Sequence, residues 1–322
     1  MPGNVWDLLR KLDRDIMTAV AVFGAGGQIG QAIHKLVPDG YQVIPVLKDM
    51  ADLTVQSQVI RIVQELYQDH NCRFFINAAA YTAVDLAEDD LEQAFTVNWK
   101  GASYLAEAVA GCAGACLLHL STDYIFDGKK GRAYREEDPA NPLCIYGLSK
   151  LAGELAISAQ CPRHIMVRTS WVFGPDGKNF LKTMLSLAER HKELRIVNDQ
   201  RGGPTYSYDI ARAFWGIVHH LEQNAAFDEW GVYHYGGAES VTWYEVAHAI
   251  FEQAKEQGFS VPERLVAISS PEFPQKALRP SNSFLDTSRV QRVFAIEPCS
   301  WRDGIRRALQ RLKSDSATGV LS

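Results

Sequence analysis

The chain has 322 residues, of which 47% are hydrophobic and 22% are charged, an ordinary composition for a globular protein. Its length fits two domains, or one large domain with a smaller lobe. The formal net charge of −5 argues against nucleic acid or an anionic membrane as a partner, and no apolar run approaches the roughly 20 residues that span a bilayer.

The six cysteines are scattered along the chain and do not form a paired framework. Cys112 and Cys116 lie four residues apart, but no Cys/His pair at ligand spacing follows them. We therefore expect reduced thiols, no bound metal and a cytoplasmic location.

The first sixteen residues are polar and of mixed charge, without the apolar core of a secretory signal, and are predicted to be an extension outside the fold. From residue 17 to residue 169, short apolar runs alternate with longer amphipathic runs. This alternation predicts an α/β domain with a Rossmann-type, doubly wound parallel sheet. The predicted strands are residues 18–23, 41–46, 73–77, 116–121 and 163–169, and the predicted helices are residues 28–36, 55–68, 91–110 and 146–158.

After residue 169 the alternation loosens, and clusters of Pro, Gly and aromatic residues appear. Residues 170–313 are predicted to form mainly a smaller C-terminal substrate-binding lobe, with a return of some segments to the sheet left open. Residues 314–322 are predicted to be a flexible tail.

A glycine-rich turn follows the first predicted strand. Gly24, Gly27 and Gly30 have the spacing G-x-x-G-x-x-G and lie immediately before or within the start of a predicted helix. Such glycines let the backbone approach a pyrophosphate, which the helix N-terminus attracts. The turn therefore predicts a dinucleotide site, and its spacing is the variant associated with short-chain dehydrogenase/reductases.

The end of the second predicted strand bears on the choice of cofactor. NAD-preferring sites usually place an acidic residue there to bind the ribose 2′-hydroxyl, but this strand is followed by Leu47 and Lys48. A lysine can pair with a 2′-phosphate, which favours NADPH over NADH. The alternative is that Lys48 is only a solvated surface charge.

Tyr146 and Lys150 lie four residues apart on one face of a predicted helix. A reductase must protonate a carbonyl oxygen as hydride reaches the carbon, and a tyrosine can supply that proton if a nearby lysine lowers its pKa from about 10. The other protons of this lysine can bind the nicotinamide ribose, so Tyr146 and Lys150 are also predicted to be cofactor-binding residues. Thr122 lies at the carboxyl end of the fourth strand, where ligands bind in open parallel sheets, and can donate a hydrogen bond to the same oxygen. These three residues predict the reduction of a carbonyl group.

With these motifs in place, the chain resembles the dTDP-4-dehydrorhamnose reductases, a family of extended short-chain dehydrogenase/reductases. The resemblance runs from about residue 19 to residue 312. The segments that carry it are residues 23–30 (FGAGGQIG), 76–85 (INAAAYTAVD), 120–128 (LSTDYIFDG), 141–154 (NPLCIYGLSKLAGE), 167–173 (VRTSWVF), 198–205 (NDQRGGPT) and 278–283 (LRPSNS).

The resemblance implies roles for further residues. The implied cofactor-binding residues are Gly27, Gln28 and Ile29 in the glycine turn, Asp52 and Leu53 beside the adenine, and Ala79, Ala80, Tyr81 and Thr82 after the third strand. The implied sugar-nucleotide contacts are Thr82, Val84, Asp123, Tyr124 and Trp171, with an ordinary core tryptophan as the alternative for Trp171. Arg279 is a candidate for the substrate diphosphate, because a guanidinium binds phosphate oxygens bidentately, and Arg201 is a weaker one.

The implied reaction is reduction of the 4-keto group of a dTDP-linked 6-deoxy-L-hexulose with NAD(P)H to dTDP-L-rhamnose. The family's acid near the end of the second strand is missing, which puts NADH use in doubt. The glutamate that helps some members bind a magnesium ion is also missing, because the first helix reads Gln31-Ala32-Ile33; a homodimer therefore stays a possibility without that metal.

Four alternative functions have to be considered. Asp123-Tyr124 replaces the Asp-Glu pair of sugar-nucleotide dehydratases, and the cysteine of GDP-fucose-type epimerase-reductases is absent, so simple reduction fits better than either. A reductase of another nucleotide-linked keto-sugar stays open. So does a non-catalytic, NADP-binding subunit resembling the regulatory beta subunit of methionine adenosyltransferase.

Overall fold

The computed structural model describes residues 17–317. The predicted extension of residues 1–16 therefore lies outside the described residues, as do residues 318–322. The last helix continues to Ala317, so residues 314–317 are helical where the sequence predicted a flexible tail. Among residues 17–317, no helix combines the length and apolar character needed to cross a membrane.

The main sheet has six strands, and each pair of neighbours is parallel. Its strands are β1 (Thr18–Phe23), β2 (Tyr41–Val46), β3 (Phe74–Asn77), β4 (Cys116–Thr122), β5 (His164–Thr169) and β10 (Gly231–His234). Their spatial order is β10-β5-β4-β3-β1-β2. The predicted doubly wound α/β fold is confirmed, and the five predicted strands end within one residue of the observed ones.

Three further pairs of short strands lie outside this sheet. Their members are β6 (Val172–Phe173), β7 (Glu193–Val197), β8 (Arg201–Gly202), β9 (Thr205–Tyr206), β11 (Val241–Thr242) and β12 (Arg264–Ile268). The pairs are β6 with β9, β7 with β12 and β8 with β11.

Eleven α-helices lie within residues 17–317. They are α1 (Gln28–Lys35), α2 (Gln56–Asp69), α3 (Val84–Ala87), α4 (Leu91–Phe95), α5 (Ala102–Ala110), α6 (Ile145–Gln160), α7 (Phe180–Ala188), α8 (Ser207–Gln223), α9 (Trp243–Glu256), α10 (Ser288–Phe294) and α11 (Trp301–Ala317). A π-helical turn, Thr96–Gly101, joins α4 to α5, so the single helix predicted over residues 91–110 is interrupted.

The two faces of the sheet are covered by different hydrophobic cores. Along β1, Val20 and Val22 belong to one core, whereas Ala21 and Phe23 belong to the other. Successive side chains of a strand point to opposite faces, so a strand covered on both sides is apolar at every position. This explains why the strands are visible as continuous apolar runs in the sequence.

The C-terminal lobe is continuous with the sheet. The segment Gly231–His234 pairs with β5, and the indole N–H of Trp215 in α8 donates to the carbonyl oxygen of Ile33 in α1 at 3.0 Å. One core contains residues from both sides of residue 170. The lobe is therefore anchored on one face of the sheet.

Candidate active site

A large cavity of about 730 Å³ lies at the carboxyl ends of β1, β3, β4 and β5. This is the edge at which a doubly wound sheet binds its ligands, since β1 lies between β2 and β3 and the chain winds outward in both directions. A smaller chamber of about 250 Å³ adjoins it and shares Gly24, Ala79 and Ala80 with it. Together they form an elongated site that reaches from the end of β2 to the C-terminal lobe.

The turn between β1 and α1 forms one wall of this site. Gly24 has φ +77°, and a Cβ there would lie 2.6 Å from the backbone nitrogen of Ala79, so the close approach of the two strand ends requires glycine. Gly27 caps α1, whose first turn contains no acidic residue. The free N–H groups of the helix are thus open to an anion. Gly30 lies behind the turn, where a Cβ would collide with the Gly24 carbonyl.

Three buried polar atoms in the cavity lining have no hydrogen-bond partner among the described residues. They are Nε2 of Gln28, Oδ2 of Asp123 and Oγ1 of Thr169. Buried polar atoms are nearly always paired in folded proteins, so a polar ligand is expected to satisfy them. The glycine wall, the two connected chambers and these atoms fit a dinucleotide with a second polar molecule beside it.

The smaller chamber contains the residues predicted to border the adenine. Lys48, Asp52, Leu53 and Tyr81 all line it. The Lys48 ammonium lies 3.5 Å from the Asp52 carboxylate, and its side chain is 79% exposed. Lys48 is thus an exposed cation in the lining of the chamber, which fits either of the two interpretations of this residue.

Tyr146 and Thr122 both line the large cavity. Thr122 ends β4, and Tyr146 lies in the first turn of α6. Helix α6 comes this close because residue 147 is glycine: a Cβ there would collide with the carbonyl oxygen of Tyr124. The ring of Tyr124 packs edge-on against that of Tyr146, with centroids 5.7 Å apart. Burial raises the pKa of Tyr146, and a hydrogen bond with Thr122 opposes this effect.

Lys150 lies one turn further along α6 and is only 2% exposed. Its Nζ donates to the carbonyl oxygen of Leu120 at 2.7 Å and lies 3.1 Å from Nε2 of His119. Burial lowers the pKa of Lys150 to about 8, against the opposing effect of the Glu154 carboxylate. The effects on the pKa of Tyr146 arise from burial and from Thr122, Asp123 and Cys144, so the lowering of this pKa by Lys150 stays a prediction.

Asp123 follows Thr122 and is 2% exposed. Burial raises the pKa of its carboxyl group to about 7, although hydrogen bonds from Ser283 and Thr122 favour the charged form. Asp123 therefore changes charge near neutral pH in the wall of the cavity.

Trp171 lies between β5 and β6 in an unusual conformation, with φ +46°, which is rare for a bulky residue and is often found at functional sites. Its ring stacks on Trp243, with centroids 3.6 Å apart and an interplanar angle of 6°. The backbone of Gly202 leaves space for the ring, since a Cβ there would collide with it. Trp171 is half-buried, packs against one hydrophobic core and lines the cavity, so both interpretations of this residue stay open.

Arg279 lies outside the large cavity. Its Nη1 and Nη2 atoms donate to the two carboxylate oxygens of Asp85 at 3.0 and 2.7 Å. The guanidinium lines a separate cavity of about 380 Å³, which shares Tyr124 with the large one. Arg201 is half-exposed and donates to the carbonyl oxygen of Ser240; it does not line the large cavity.

Asn98 is a buried residue that belongs to none of the motifs selected from the sequence. It lies in the π-helical turn and is 2% exposed. Its Oδ1 accepts from the backbone N–H of Tyr81, and its Nδ2 donates to the carbonyl oxygen of Tyr81 and to Oγ of Ser149, at 2.8, 3.1 and 2.9 Å. One side chain therefore joins the segment after β3 to the helix that carries Tyr146 and Lys150.

Comparison with known proteins identifies the family. Residues 17–314 match the family model described as RmlD substrate binding domain. The chain is 41% identical to dTDP-4-dehydrorhamnose reductase of Aggregatibacter actinomycetemcomitans, over 92% of this chain and 99% of that protein. It is 37% identical to the spore coat polysaccharide biosynthesis protein SpsK of Bacillus subtilis, with the same coverage.

Comparison with solved structures identifies the same family. A solved structure of dTDP-4-dehydrorhamnose reductase from Bacillus anthracis, in complex with NADP, superposes with a TM-score of 0.83 at 33% identity, over 92% of this chain and 99% of that chain. The chain belongs to the dTDP-4-dehydrorhamnose reductase family.

Within this reductase-family fold, the structure brings most of the predicted site residues together. The large cavity is lined by the predicted residues Gly24, Gly27, Gln28, Ile29, Ala79, Ala80, Thr82, Val84, Thr122, Asp123, Tyr124, Tyr146, Lys150 and Trp171. Lys48, Asp52, Leu53 and Tyr81 line the adjoining chamber. Gly30, Arg279 and Arg201 are the predicted residues that line neither.

Sequence reasoning missed several residues of the lining, among them Ser121, Thr169 and Lys178. Ser121 and Thr169 lie at the carboxyl ends of two predicted strands, so the rule that selected Thr122 could have found them. Lys178 follows β6 in a loop whose position depends on distant contacts, including a hydrogen bond between Asn179 Nδ2 and Gln28 Oε1 at 3.2 Å. No local signal marks it.

Proposed function

We propose that the protein reduces the 4-keto group of a dTDP-linked 6-deoxy-L-hexulose, giving dTDP-L-rhamnose. The observation that carries this proposal is the convergence of Thr122, Tyr146 and Lys150 in one cavity that is continuous with a glycine-walled cofactor site. The names of the relatives supply the sugar nucleotide. The reaction converts a ketone to an alcohol by adding a hydride to the carbon and a proton to the oxygen.

NADPH is the proposed cofactor and supplies the hydride when bound. The glycine turn and the start of α1 would hold its pyrophosphate, and Lys48 would meet the 2′-phosphate. Two features support this choice: the absence of an acid at the end of β2, and the NADP bound by the Bacillus anthracis relative.

Three residues share the chemistry at the carbonyl group. The Tyr146 hydroxyl donates the proton to the ketone oxygen, and the Thr122 hydroxyl donates a hydrogen bond to the same atom. Lys150, as an ammonium with a pKa of about 8, stabilises the phenolate that forms and binds the cofactor ribose. Asp123, Tyr124, Trp171, Thr82 and Val84 surround the space left for the sugar.

The nucleotide half of the substrate would extend into the separate cavity of about 380 Å³. Tyr124 borders both cavities, and the stacked pair places Trp171 on one and Trp243 on the other. Flat aromatic and apolar side chains suit a nucleobase. Arg279 stands beside Tyr124 in this lining, which suits a diphosphate between the base and the sugar.

The deciding experiment follows NADPH oxidation by absorbance with defined nucleotide-linked keto-sugars. We expect turnover with the dTDP-4-keto-6-deoxy-L-hexulose and at least about tenfold lower kcat/KM with its UDP counterpart, because each lost group in a fitted pocket costs roughly 1–3 kcal/mol. Equal turnover of the UDP sugar would reassign the substrate. Cofactor binding without oxidation of NADPH by any of these sugars would favour a non-catalytic regulatory subunit.

A homodimer in the cytoplasm completes the proposal. Leu91, Trp99, Leu148 and Leu155 are exposed apolar residues on α4, the π-helical turn and α6, which pack side by side. A second copy of the chain is the proposed partner for this apolar face. Sedimentation of the wild type and of Leu155→Glu tests this proposal. We expect the wild type to be a dimer and the Leu155→Glu variant to dissociate more readily, whereas a monomeric wild type would contradict the proposal.

A further inference from the structure

His119 is a buried titratable residue for which the proposed reaction has so far no role. It lies in β4, three residues before Thr122, and is 1% exposed. Its Nε2 lies 3.1 Å from Nζ of Lys150. Lys150 lines the large cavity and His119 does not, so the imidazole contacts the amine from behind the cavity wall.

The surroundings of His119 define its chemical form. Burial, the Lys150 ammonium and the neighbouring His164 hold the pKa of its ring well below the ordinary value, so the ring is neutral. A neutral imidazole has one donor and one acceptor nitrogen, whereas an ammonium only donates. Nε2 must therefore accept from Lys150, and the ring proton must be on Nδ1.

The other nitrogen of the ring makes this arrangement costly. Nδ1 of His119 is buried and has no hydrogen-bond partner among residues 17–317. An apolar side chain of similar size would avoid leaving a polar group unpaired. The contact with Lys150 is the hydrogen bond that the ring makes in this structure, and it explains why an imidazole is present in this apolar strand.

We propose that His119 is a positioning residue that holds the Lys150 ammonium in place and keeps it protonated during the proposed reduction. Of the three N–H bonds of the ammonium, one points to the carbonyl oxygen of Leu120 and one to His119. The third N–H bond can then point into the cavity, where Tyr146 and the cofactor ribose are expected. The inference rests on the proposed function, since it assigns His119 a part in that reaction.

The other charged groups near this pair are already engaged. The Glu154 carboxylate, one turn further along α6, accepts from Arg168 on β5 at 2.6 Å and from Ser121 at 2.5 Å. His164, also on β5, is 2.6 Å through its Nδ1 from the carbonyl oxygen of Cys161. On the cavity side stands Tyr146. Of these groups, the Glu154 charge favours the protonated amine, and His119 adds a direct hydrogen bond to it.

Two variants of His119 distinguish the effect of losing the hydrogen bond from the effect of losing the volume of the ring. His119→Leu removes the acceptor and lowers the pKa of Lys150, so the alkaline limb of the kcat profile should move about one unit to lower pH and kcat should fall about tenfold. His119→Gln retains an acceptor near the position of Nε2. This variant should therefore show nearly the wild-type kcat and nearly the wild-type position of the alkaline limb. The matched control is His164→Leu, which removes a buried imidazole from the next strand and should leave the limb in place.

A measurement on the unaltered protein does not depend on activity. In ¹⁵N-histidine-labelled protein, ring ¹⁵N–¹H correlations at pH 6.5 should show His119 protonated at Nδ1 and bare at Nε2, with His119→Gln assigning the signal. A ring protonated at Nε2, or equal losses in the Leu and Gln variants with an unmoved pH profile, would overturn the inference. If the wild type fails to reduce the sugar nucleotide, the proposed function fails, and the ring tautomer still decides whether Nε2 accepts from Lys150.

Discussion

The two sides of the active site are built in different ways. On the sheet side, Gly24, Tyr146 and Lys150 lie at the ends of long regular elements and are positioned by backbone contacts and burial. On the lobe side, Trp171 lies beside a two-residue strand, and Arg279 depends on Asp85, 194 positions away in the chain. This division suggests that the chemistry and the cofactor belong to the sheet side, whereas the lobe side shares the choice of substrate with residues that follow β4. Substitutions of the catalytic residues and of the substrate contacts should therefore change different kinetic constants.

The strongest test of the sheet side is Tyr146→Phe. The ring remains but the proton donor is lost, so kcat should fall about 10²- to 10⁴-fold, with the Kd of NADPH changed less than about twofold. Stopped-flow turnover and fluorescence titration measure the two. Tyr124→Phe, in the neighbouring ring, is the control and should act mainly on KM. Wild-type kcat in the Tyr146 variant would end its assignment as the acid.

The glycine wall is tested by comparing two glycines with similar backbone conformations. Gly24 and Gly40 have φ +77° and +83°, but a Cβ at Gly24 would lie 2.6 Å from a backbone nitrogen, whereas one at Gly40 would meet nothing within 4 Å. Alanine should cost about 1 kcal/mol of folding free energy at Gly40 through strain alone. At Gly24 it should cost more and weaken NADPH binding at least about tenfold. Calorimetry measures the folding free energy and the NADPH affinity of both variants. Equal NADPH affinities would contradict the argument that the close approach at Gly24 requires glycine.

On the lobe side, Arg279 and Asp85 can be separated. Arg279→Gln should raise KM about ten- to hundredfold with little change in kcat, because charged hydrogen bonds contribute roughly 1.5–3 kcal/mol. Asp85→Asn removes the ion pair but leaves the guanidinium, so KM should rise less than about threefold. Equal increases in the two variants would show that the pair only tethers the lobe, and Arg279 would then lose its predicted role with the diphosphate.

The pH dependence of kcat/KM should reflect two groups, the predicted substrate contact Asp123 and the lysine of the predicted chemistry, Lys150. If the charged Asp123 binds a sugar hydroxyl, kcat/KM should rise about fivefold between pH 6 and pH 7, since burial raises the pKa of this carboxyl to about 7. It should fall above about pH 8 as Lys150 loses its proton. Asp123→Asn should abolish the acid limb and retain the alkaline one. An unchanged acid limb in that variant would assign the titration to another group.

The smallest expected effect concerns Lys48. Because its side chain is 79% exposed, solvent screens its charge, and Lys48→Ala should reduce the preference for NADPH over NADH only about two- to fourfold. Lys100→Ala, an exposed lysine of the π-helical turn, is the control and should leave the preference unchanged. An unaltered NADPH preference in Lys48→Ala would establish the surface-charge interpretation.

The sequence predicted the sheet side well because its signals are local. Strand β1 is apolar at each position since both faces are buried, and Thr122 lies where a strand must end. The lobe side depends on contacts that no local pattern contains. Arg279 is visible as part of a motif, yet its bond to Asp85 is not, and the stacking of Trp171 on Trp243 joins residues 72 positions apart. Sequence periodicity predicted the helical stretch over residues 91–110 with the observed bounds, but it did not reveal the π-helical turn within it.

That turn, Thr96–Gly101, has a consequence for insertions and deletions. A π-helical turn holds one residue more than the α-helical turn it replaces, and here the wider turn contains Asn98, which binds both Tyr81 and Ser149. Deleting a single residue would restore a regular helix and keep the apolar face of α5 nearly in register. The wider turn that carries Asn98 would be lost, however, and with it the link between the segment after β3 and the helix that carries Tyr146. The length of this short stretch is therefore constrained together with the identity of Asn98.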